Sequence, residues 1–551
     1  MKTYNRLLLL SVTVLITALT LSIANGQTST KKYTWENLPK ATMPVFRKDT
    51  LNIIRYGAVP DGQTLNTNSI NNAIKDCSKK GGGVVLVPGG LWLTGPVEMQ
   101  NNVNLHISRS AILLFTSDFD QYSLVEGNYE GKPSMRNQSP LSGVDLQNIA
   151  VTGTGVIDGN GDHWRMITRD RLTEKEWKEK VASGGLLSED GKTWFPSVKT
   201  KRGYQTKDPG AILPSKKAAD YEDVKDYLRP TLLNFTGCKK VLLEGVTFQN
   251  SPAWGLHLLL CEDLTIKNVY VKNPDYAQNG DGLDLESSRN VLIDGCTFDV
   301  GDDGICIKSG KDEEGRKRGT PTENVVIKNS FVYKGHGGFV IGSEMSGGAR
   351  NIFISNCSFM GTDKGLRFKT ARGRGGVVEN IYVKNIYMKD IVDEAIYFDM
   401  YYFTKPPAIG EKVDVPVISD KTPQFRNFDI QNVVCNGAGK AIFMRGLPEM
   451  NVKNVNIRNV ELTANMGIEI IEAENITLSS LKIVTTQADA VMYVESSKSI
   501  KIDKLSYPEN SKLLCKIIGE RSKDIVLRNI GTNKVELITE NGAKESSVSL
   551  K

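Results

Sequence analysis

The sequence predicts an all-β fold, a right-handed parallel β-helix in which short strands stack coil upon coil around one core. From residue 149 onward, an apolar-x-apolar-x-(Asn or Gly) strand recurs, for example at 264–268, 325–329 and 352–356. The last residues of successive units, such as 268, 295, 329 and 356, lie 27, 34 and 27 positions apart. The 51 glycines and the 7% of aromatic residues fit many tight turns. Right-handedness is expected because parallel crossovers are almost always right-handed.

Composition excludes several classes of protein. With 551 residues, 40% hydrophobic and 24% charged, the chain is neither disordered, nor collagenous, nor a multi-pass membrane protein. The net charge of +6 comes from 69 basic and 63 acidic residues that are mixed along the chain. Because no basic arm or arginine-rich helix is present, no nucleic-acid partner is predicted.

The N-terminus has the pattern of an export signal. Lys2 and Arg6 precede an uncharged apolar stretch over 7–23, and small residues follow at 24–27. This predicts a signal peptide over 1–26 and a secreted or periplasmic protein that leaves the membrane once the signal is removed. A membrane-anchoring helix is the alternative, although about 17 apolar residues is the short limit for spanning a bilayer. We interpret 27–50 as an N-terminal extension and 51–551 as one β-helix domain.

Two segments depart from the coil pattern. Ile70, Ala73, Ile74 and Cys77 have helical spacing before a glycine run at 81–83, which predicts a short helix capping the N-terminal end of the solenoid. The stretch at about 163–229 is rich in Lys, Glu, Asp and Gly and is far longer than one coil needs. It is therefore predicted to be a long insertion beside the solenoid, of the kind that often shapes a binding site.

The eight cysteines are spread along the chain without CxxC pairs. Zinc and redox motifs are therefore not indicated. Export permits disulfides, but buried free thiols are the favoured interpretation.

Aligning the second strand of consecutive coils brings acidic residues together. The segments 281–286, 303–308, 337–342, 364–369 and 394–399 share an apolar pattern, whose alternating residues must face away from the core. Asp281 then lies beside Asp303, while Asp302 matches His336 of the next coil. Carboxylates at this spacing repel each other, so one should keep its proton while another stays ionised, as general acid and general base require. A solvated acidic patch or a calcium site is the alternative.

Arg367 and Lys369 belong to the segment 364–369, and by the same alternation both point outward on the face that carries the acids. They are predicted to lie about 10 Å from the acids, within two strand spacings. Such a pair favours a carboxylate-bearing substrate, with solvated surface charge as the alternative. On this interpretation Lys369 contributes to binding far more than to folding.

The segments 279–281, 301–303, 335–337 and 367–369 together resemble the four signature motifs of the polygalacturonase family, glycoside hydrolase family 28. Segments 56–58, 81–88 and 93–96 resemble its N-terminal region. The insertion and the charged loop at 311–318 are most similar to bacterial exo-acting members. The resemblance implies an inverting hydrolysis of α-linked galacturonic acid bonds, with no metal and no cofactor, on a pectic polysaccharide or oligogalacturonide.

The resemblance also implies roles for individual residues. Asp302 would protonate the leaving oxygen, Asp281 and Asp303 would activate water, and His336 would support the protonation state of the acid.

Four further residues are implied to contact substrate. Arg367 and Lys369 would hold a galacturonate carboxylate, and Asn279 belongs to the first motif. Tyr402 resembles a substrate-contacting tyrosine, with Tyr401 as the alternative.

Other functions stay open at the level of sequence. Within the family, a rhamnogalacturonan-directed galacturonidase or hydrolase fits the same motifs. A β-helix pectate lyase would instead use calcium and an arginine base, and it would release an unsaturated product. A non-catalytic carbohydrate-binding protein would tolerate the loss of Asp302.

Overall fold

The computed structural model describes residues 33–408, 410–411, 413–487, 490–509, 511, 513–530 and 536–551. The chain divides into two compact units, Met1–Leu38 and Pro39–Lys551. In the described part of the first unit, Asn37 N donates to Thr34 O at 3.1 Å and forms a turn. The predicted signal peptide and its alternative, a membrane anchor, lie outside the described residues. Among the described residues, no helix combines the length and the apolarity needed to cross a bilayer.

Two long sheets of parallel strands build the second unit. One of them, which we call the cleft sheet, carries the sequence-predicted acids. Its strands are Val97–Glu98, Leu141–Val144, Leu233–Thr236, Leu256–Leu259, Leu283–Glu286, Asp303–Lys308, Gly337–Ile341, Leu366–Lys369, Glu394–Asp399, Lys440–Arg445, Met466–Ile471, Ala490–Glu495, Leu513–Ile518 and Leu537–Glu540.

The other sheet, the back sheet, collects the first strand or pair of strands of each coil. Its strands are Thr50–Asn52, Gly83–Val87, Gly90–Thr94, Val103–Ile107, Ala111–Phe115, Gln147–Gly153, Val156–Asp158, Lys239–Glu244, Thr247–Gln249, Glu262–Lys267, Tyr270–Lys272, Arg289–Asp294, Thr297–Asp299, Thr322–Lys328, Phe331–Tyr333, Ala349–Met360, Val377–Lys389, Gln424–Asn436, Val452–Ala464, Ala473–Thr485, Lys498–Ser506, Lys523–Arg528 and Val548–Leu550.

The predicted right-handed parallel β-helix is confirmed. Alternation inside each strand places residues such as Leu283, Ile305 and Phe339 in one continuous core, each 0% exposed. The recurrent asparagines form an amide ladder along the stack: Asn385 Nδ2 donates to Asn356 Oδ1 at 2.9 Å, and Asn432 Nδ2 donates to Asn385 Oδ1 at 2.9 Å. These three asparagines have φ of 54° to 56°. Asparagine is favoured there because it tolerates the left-handed conformation that bends each coil.

The N-terminal cap is the helix α1, Thr67–Lys79. Its apolar face of Ile70, Ala73, Ile74 and Cys77 is fully buried at the end of the core. This confirms the predicted capping helix. All eight cysteines are buried and free, as the sequence favoured.

The chain between Val156–Asp158 and Leu233–Thr236 contributes no strand to either long sheet. It contains the helices α2 (Glu174–Ala182) and α3 (Val198–Gln205), and a 3-10 helix over Ala218–Tyr227. Short strands at Ile167–Thr168, Leu186–Leu187 and Thr193–Phe195 pair antiparallel. This stretch includes the predicted insertion. The remaining helix, α4, spans Asp312–Arg318, and short 3-10 turns lie at Ile53–Tyr56, Phe119–Gln121, Gly161–His163, Arg169–Arg171 and Glu545–Ser547.

An antiparallel hairpin that the sequence did not reveal leaves the solenoid at Leu124–Tyr129 and returns at Lys132–Asn137. Leu124 and Met135 of this hairpin pack in one apolar cluster with Tyr221 and Val224 of the inserted stretch. Met135 N also donates to Gly210 O at 2.8 Å. The inserted stretch therefore stabilises the hairpin through apolar packing and a backbone hydrogen bond.

Candidate active site

Strand register brings the predicted acids and histidine together. Asp303 pairs with Gly337 across neighbouring coils, so Asp302 lies beside His336. His336 Nδ1 and Asp302 Oδ1 are 3.0 Å apart, and the His336 backbone N–H donates to Asp302 O at 3.1 Å. The Asp302 side chain is 21% exposed and the His336 side chain 42%. This is the accessible part of the acidic cluster.

The hydrogen bond to Asp302 raises the pKa of His336 above its ordinary value. A protonated imidazole beside Asp302 can donate a hydrogen bond to the carboxylate and hold it in one orientation. His336 Nε2 also lies 3.9 Å from Asp363 Oδ2. His336 is therefore a positioning group for Asp302.

Asp281 and Asp303 lie deeper in the cleft, at 3% and 1% exposure. One oxygen of each lies with Cys306 Sγ in a group of atoms no more than 4.8 Å apart. Burial, and then the negative charge of Asp284, raises the pKa of Asp281 well above its ordinary value. Close, buried carboxylates thus retain a proton as a group, as repulsion between them predicts.

Asp303 has the opposite electrostatics. Lys369 Nζ donates to Asp303 Oδ2 at 2.7 Å, and Arg367 Nη1 donates to Asp303 Oδ1 at 3.1 Å. Burial alone would raise the pKa of Asp303, but the charges of Lys369 and Arg367 hold it well below its usual range. The cleft therefore contains an ionised carboxylate next to a carboxyl group that keeps its proton.

The cationic pair faces the cleft, as alternation predicts. The predicted separation of about 10 Å from the acids is wrong, because both side chains contact Asp303 directly. The side chains of Arg367 and Lys369 are 11% and 7% exposed. Both are hydrogen-bonded to Asp303, so we expect Lys369 to contribute to folding as well as to binding. Neither cation is solvated surface charge.

Tyr402, rather than Tyr401, lies beside this pair. Lys369 Nζ is 4.9 Å from the centre of the Tyr402 ring, and the Arg367 guanidinium is 5.7 Å from it. Tyr401 is 5% exposed, and its hydroxyl accepts a hydrogen bond from Arg372 Nη2 at 3.2 Å. The position of Tyr402 fits the predicted contact with substrate, and Tyr401 is a structural residue.

Asn279 is held at the edge of the cluster. Its side-chain oxygen accepts a hydrogen bond from Arg229 Nη2 at 2.9 Å. Its φ of 54° is the left-handed turn that leads the chain into Asp281. The contact with Arg229 ties the first motif to the inserted stretch.

A buried ionic group that sequence reasoning missed lies beneath the acids. Lys308 Nζ is 3.1 Å from Glu344 Oε2, 3.4 Å from Asp284 Oδ1 and 3.8 Å from Asp281 Oδ2. Lys308 and Asp284 lie on the two strands for which the sequence already predicts alternating core-facing and outward-facing residues, and both face the cleft. The alternation that predicts an outward-facing Asp303 also predicts outward-facing side chains at these two positions.

The set of donors fits protein cations better than a metal ion. Asp281, Asp303 and Cys306 could each offer one ligand atom. However, Lys369, Arg367 and Lys308 already supply three positive charges within 4 Å of these two acids. Calcium needs six to eight oxygen ligands, and the neighbouring ammonium groups would repel it.

The tip of the hairpin contacts the same cluster. Tyr129 stacks on Trp254 with ring centres 5.6 Å apart, and Lys308 Nζ lies 4.5 Å from the centre of the Trp254 ring. Lys311 N donates to Gly131 O at 3.0 Å. The hairpin is thereby fixed against the coil that precedes the acids and against the loop that follows them.

Asp284 gives a testable pH dependence of stability. It is 0% exposed, neither of its oxygens accepts a hydrogen bond among the described residues, and burial raises its pKa to about 8. The unfolded chain releases this proton near the ordinary value of 3.8. The folded state therefore binds more protons between these values, and its free energy of unfolding falls as pH rises.

Asp284→Asn removes this titration. We expect the fall in the free energy of unfolding between pH 5 and pH 8 to shrink by about 1–4 kcal/mol. Urea denaturation at the two pH values measures it. The exposed variant Asp390→Asn should keep the wild-type fall, and an equal fall in Asp284→Asn would contradict a protonated buried Asp284.

The sequence of this chain is similar to two family models and to several known proteins. Residues 215–422 match the model for glycosyl hydrolases family 28, and residues 50–210 match a model described as rhamnogalacturonase A/epimerase, pectate lyase-like. The chain is 27% identical over 484 residues to an exo-poly-alpha-D-galacturonosidase of Dickeya chrysanthemi, covering 83% of this chain and 75% of the relative. It is 26% identical over 426 residues to a probable polygalacturonase of Vitis vinifera, covering 76% of this chain and 74% of that protein.

Among solved structures, a hyperthermoactive exopolygalacturonase of Thermotoga maritima has a similar fold. The TM-score is 0.66 at 29% identity, with 81% of this chain and 94% of the Thermotoga chain covered. The similarity extends over almost all of that enzyme.

Proposed function

The chain belongs to glycosyl hydrolases family 28, and from this premise we propose that it hydrolyses polygalacturonate from a chain end, without a metal and with inversion. The galacturonate substrate is supported by the names of the relatives and by a cleft that offers Arg367 and Lys369 to an acidic sugar. The hairpin fixed beside the acids is the single observation that carries the exo assignment.

We assign proton donation to Asp302. It is the most accessible of the three predicted acids, and His336 fixes its orientation. A general acid must bring a proton to the leaving oxygen, and the accessible position of Asp302 lets its carboxyl group reach that oxygen. As the bond between sugar and leaving oxygen breaks, Asp302 would give its proton to that oxygen.

Water activation falls to Asp303, and Asp281, which keeps its proton in this cluster, would help to position the water. Asp303 is held ionised by Lys369 and Arg367, so it can accept a proton from water. Asp281 completes the acidic wall of the cleft on the neighbouring coil. Inversion follows from the family assignment, and the anomer formed first, observed by proton NMR, tests it.

Arg367, Lys369 and Tyr402 would hold a galacturonate next to the bond that breaks. The two cations can share their donors between Asp303 and a substrate carboxylate, since each has several N–H groups. The Tyr402 ring beside them offers an apolar surface to the sugar. Asn279 is linked to the hairpin through Arg229, whose backbone oxygen accepts a hydrogen bond from Arg136 Nε.

The hairpin would block the polymer beyond the acids. Its tip contacts Trp254 and Lys311 on either side of the acid-bearing coils. Additional ion pairs join Lys132 to Asp312 at 3.4 Å and Arg374 to Asp312. A polysaccharide entering from the other end would therefore place its terminal unit at the acids.

Shortening this hairpin tests the exo assignment. We expect replacement of residues 128–133 by two glycines to produce oligomers of many lengths from polygalacturonate and a faster fall in viscosity per bond cleaved. The matched control, Tyr387→Ala, removes an exposed tyrosine from the back sheet and should leave the product profile unchanged. If the shortened variant gives the wild-type profile, the hairpin does not determine the mode of cleavage.

A rhamnogalacturonan-directed hydrolase is the second candidate, since residues 50–210 match a rhamnogalacturonase-related model. Parallel assays on rhamnogalacturonan oligosaccharides and on polygalacturonate separate the two substrates. A calcium-dependent lyase is disfavoured by the three cations around the acids, and activity should persist in chelator. Export to the periplasm or medium remains our proposal, and N-terminal sequencing of the mature protein tests it.

A further inference from the structure

A cavity of about 740 Å³ lies on the other side of the hairpin from the acids. It covers the outer face of the cleft-sheet strands Leu141–Val144 and Leu233–Thr236, and the hairpin forms one of its walls. None of Asp281, Asp302, Asp303 or His336 lines it. Its volume falls within the range of about 300–1,000 Å³ that is usual for small-molecule sites.

The cavity and the catalytic cleft share one boundary. A chain of contacts runs from Lys308 through Trp254 and Tyr129 to Arg136, whose guanidinium lies 3.8 Å from the centre of the Tyr129 ring. Tyr129 and Arg136 line the cavity, whereas Trp254 and Lys308 do not. The aromatic pair therefore divides the outer face of the sheet into two compartments.

The cavity wall contains two arginines that pair with no carboxylate of the described residues. It also contains Glu98 and Glu126, and Glu98 Oε1 accepts a hydrogen bond from Gln138 Nε2 at 2.7 Å. Arg136 and Arg229 both line it and are each 9% exposed. Among the described residues, neither has a carboxylate within 4.0 Å, unlike the buried Arg165, which is paired with Asp162 at 2.6 Å. Burial lowers the pKa of Arg136 to about 10. A buried cation without a counter-ion is costly, and an anionic ligand would offset that cost.

The bonds of the two arginines leave donors for a ligand. Arg136 Nε and Nη2 donate to Arg229 O at 3.1 and 2.6 Å, whereas Arg136 Nη1 has no acceptor among the described residues. Arg229 Nη1 donates to the neutral carbonyl oxygens of Pro252 and Gln278, and Arg229 Nη2 donates to Asn279 Oδ1, all at 2.9 Å. The positive charge is thus fixed in place by neutral groups.

Two asparagines also line the cavity, but their Oδ1 atoms are shielded from it. Asn137, which is 1% exposed, donates from Nδ2 to Leu228 O at 2.9 Å, but its Oδ1 accepts no hydrogen bond in the described structure. The buried Oδ1 of Asn128 is likewise unpaired there. Apolar side chains such as Val125 and Leu146 complete the lining. The wall thus offers cations and an apolar surface, which suit a carboxylate and a sugar face.

We propose that this cavity is a second, non-catalytic site for a uronate sugar, held through its carboxylate by Arg136 with Arg229. The choice of a galacturonate unit rests on the proposed function, whereas the recognition of an acidic sugar rests on the cavity itself. The unit is either the released monosaccharide or part of a second polymer chain that the hairpin keeps out of the catalytic cleft.

Titration calorimetry with D-galacturonate tests this site without any hydrolysis. The wild type should bind the sugar in the cavity, and Arg136→Gln should weaken that binding about tenfold or more, because a charge-assisted hydrogen bond is lost. Arg109→Gln removes an exposed arginine outside both compartments and should bind as the wild type does. Neutral D-galactose should bind much more weakly than D-galacturonate.

A second variant covers the case in which Arg136→Gln fails to fold. Val144 lines the cavity and is 62% exposed, so Val144→Trp should fill the space while leaving both arginines in place. It should cause the same loss. Retention of the wild-type isotherm by the folded variants would overturn the proposal.

The same variants distinguish the two sources of the sugar. Weaker binding of the monosaccharide identifies a product site. If only the affinity for long polygalacturonate falls, the occupant is a unit of a second chain. If neither affinity changes, the proposal is wrong. Because the monosaccharide is not hydrolysed, absence of polygalacturonase activity would refute the proposed function without affecting this test.

Discussion

Asp302→Asn should lower kcat on polygalacturonate by about 10²–10⁴-fold, the usual contribution of a general acid. Asparagine keeps the size of the side chain and can still contact His336, but it has no proton to give to the leaving oxygen. Because Asp302 is at the accessible edge of the cluster, the substitution should change the free energy of unfolding little. Initial rates at saturating substrate and urea denaturation measure the two effects.

Asp390→Asn is the matched control for this prediction. Asp390 is 71% exposed and contacts Lys389 at the surface, so the same chemical change there should leave kcat unchanged. A kcat within about threefold of wild type in a folded Asp302→Asn variant would remove Asp302 from the chemistry. Equal loss in both variants would indicate a general effect of charge.

Lys369→Met should destabilise the fold by about 3–5 kcal/mol, the usual cost of breaking a buried ion pair. The substitution leaves Asp303, at 1% exposure, with Arg367 as its nearest cation. It should also lower kcat, because the pKa of Asp303 would rise and less of the ionised base would be present. Urea denaturation and rate measurements at neutral pH give both quantities.

The pH dependence of this variant provides an independent check. A carboxyl whose folded pKa is depressed adds stability that is present above its unfolded pKa and is lost as pH falls through the folded value. In the wild type, Asp303 therefore loses its stabilising charge only in strong acid. Lys369→Met should lose part of this acid-side dependence, and Lys389→Met, which alters a lysine 59% exposed, should not. A Lys369→Met variant as stable as wild type would contradict the ion pair.

The sequence was sufficient for the fold and for the register of the acids. Strand alternation and the recurrent asparagines define each coil, so stacking one coil on the next brings His336 next to Asp302. Alternation also gives the direction in which Lys369 points. It does not give its partner, because the ion pair with Asp303 joins residues 66 positions apart.

The hairpin at 124–137 escaped prediction for a different reason. Its strands leave the solenoid and have no coil-length repeat, and its tip binds Lys311, 181 positions from Glu130. The outward-facing positions of Lys308 and Asp284 could have been predicted from strand alternation. The choice between Tyr401 and Tyr402 could not be predicted from the alternation, because both residues lie in the turn after the strand Glu394–Asp399.

The most direct test of the account is the set of products that the wild type forms first from polygalacturonate in the presence of chelator, separated by chain length and monitored by ultraviolet absorption. The account predicts saturated short products of one length from the start, with little early loss of viscosity. A ladder of oligomers would contradict end-on cleavage, and an unsaturated, chelator-sensitive product would contradict hydrolysis.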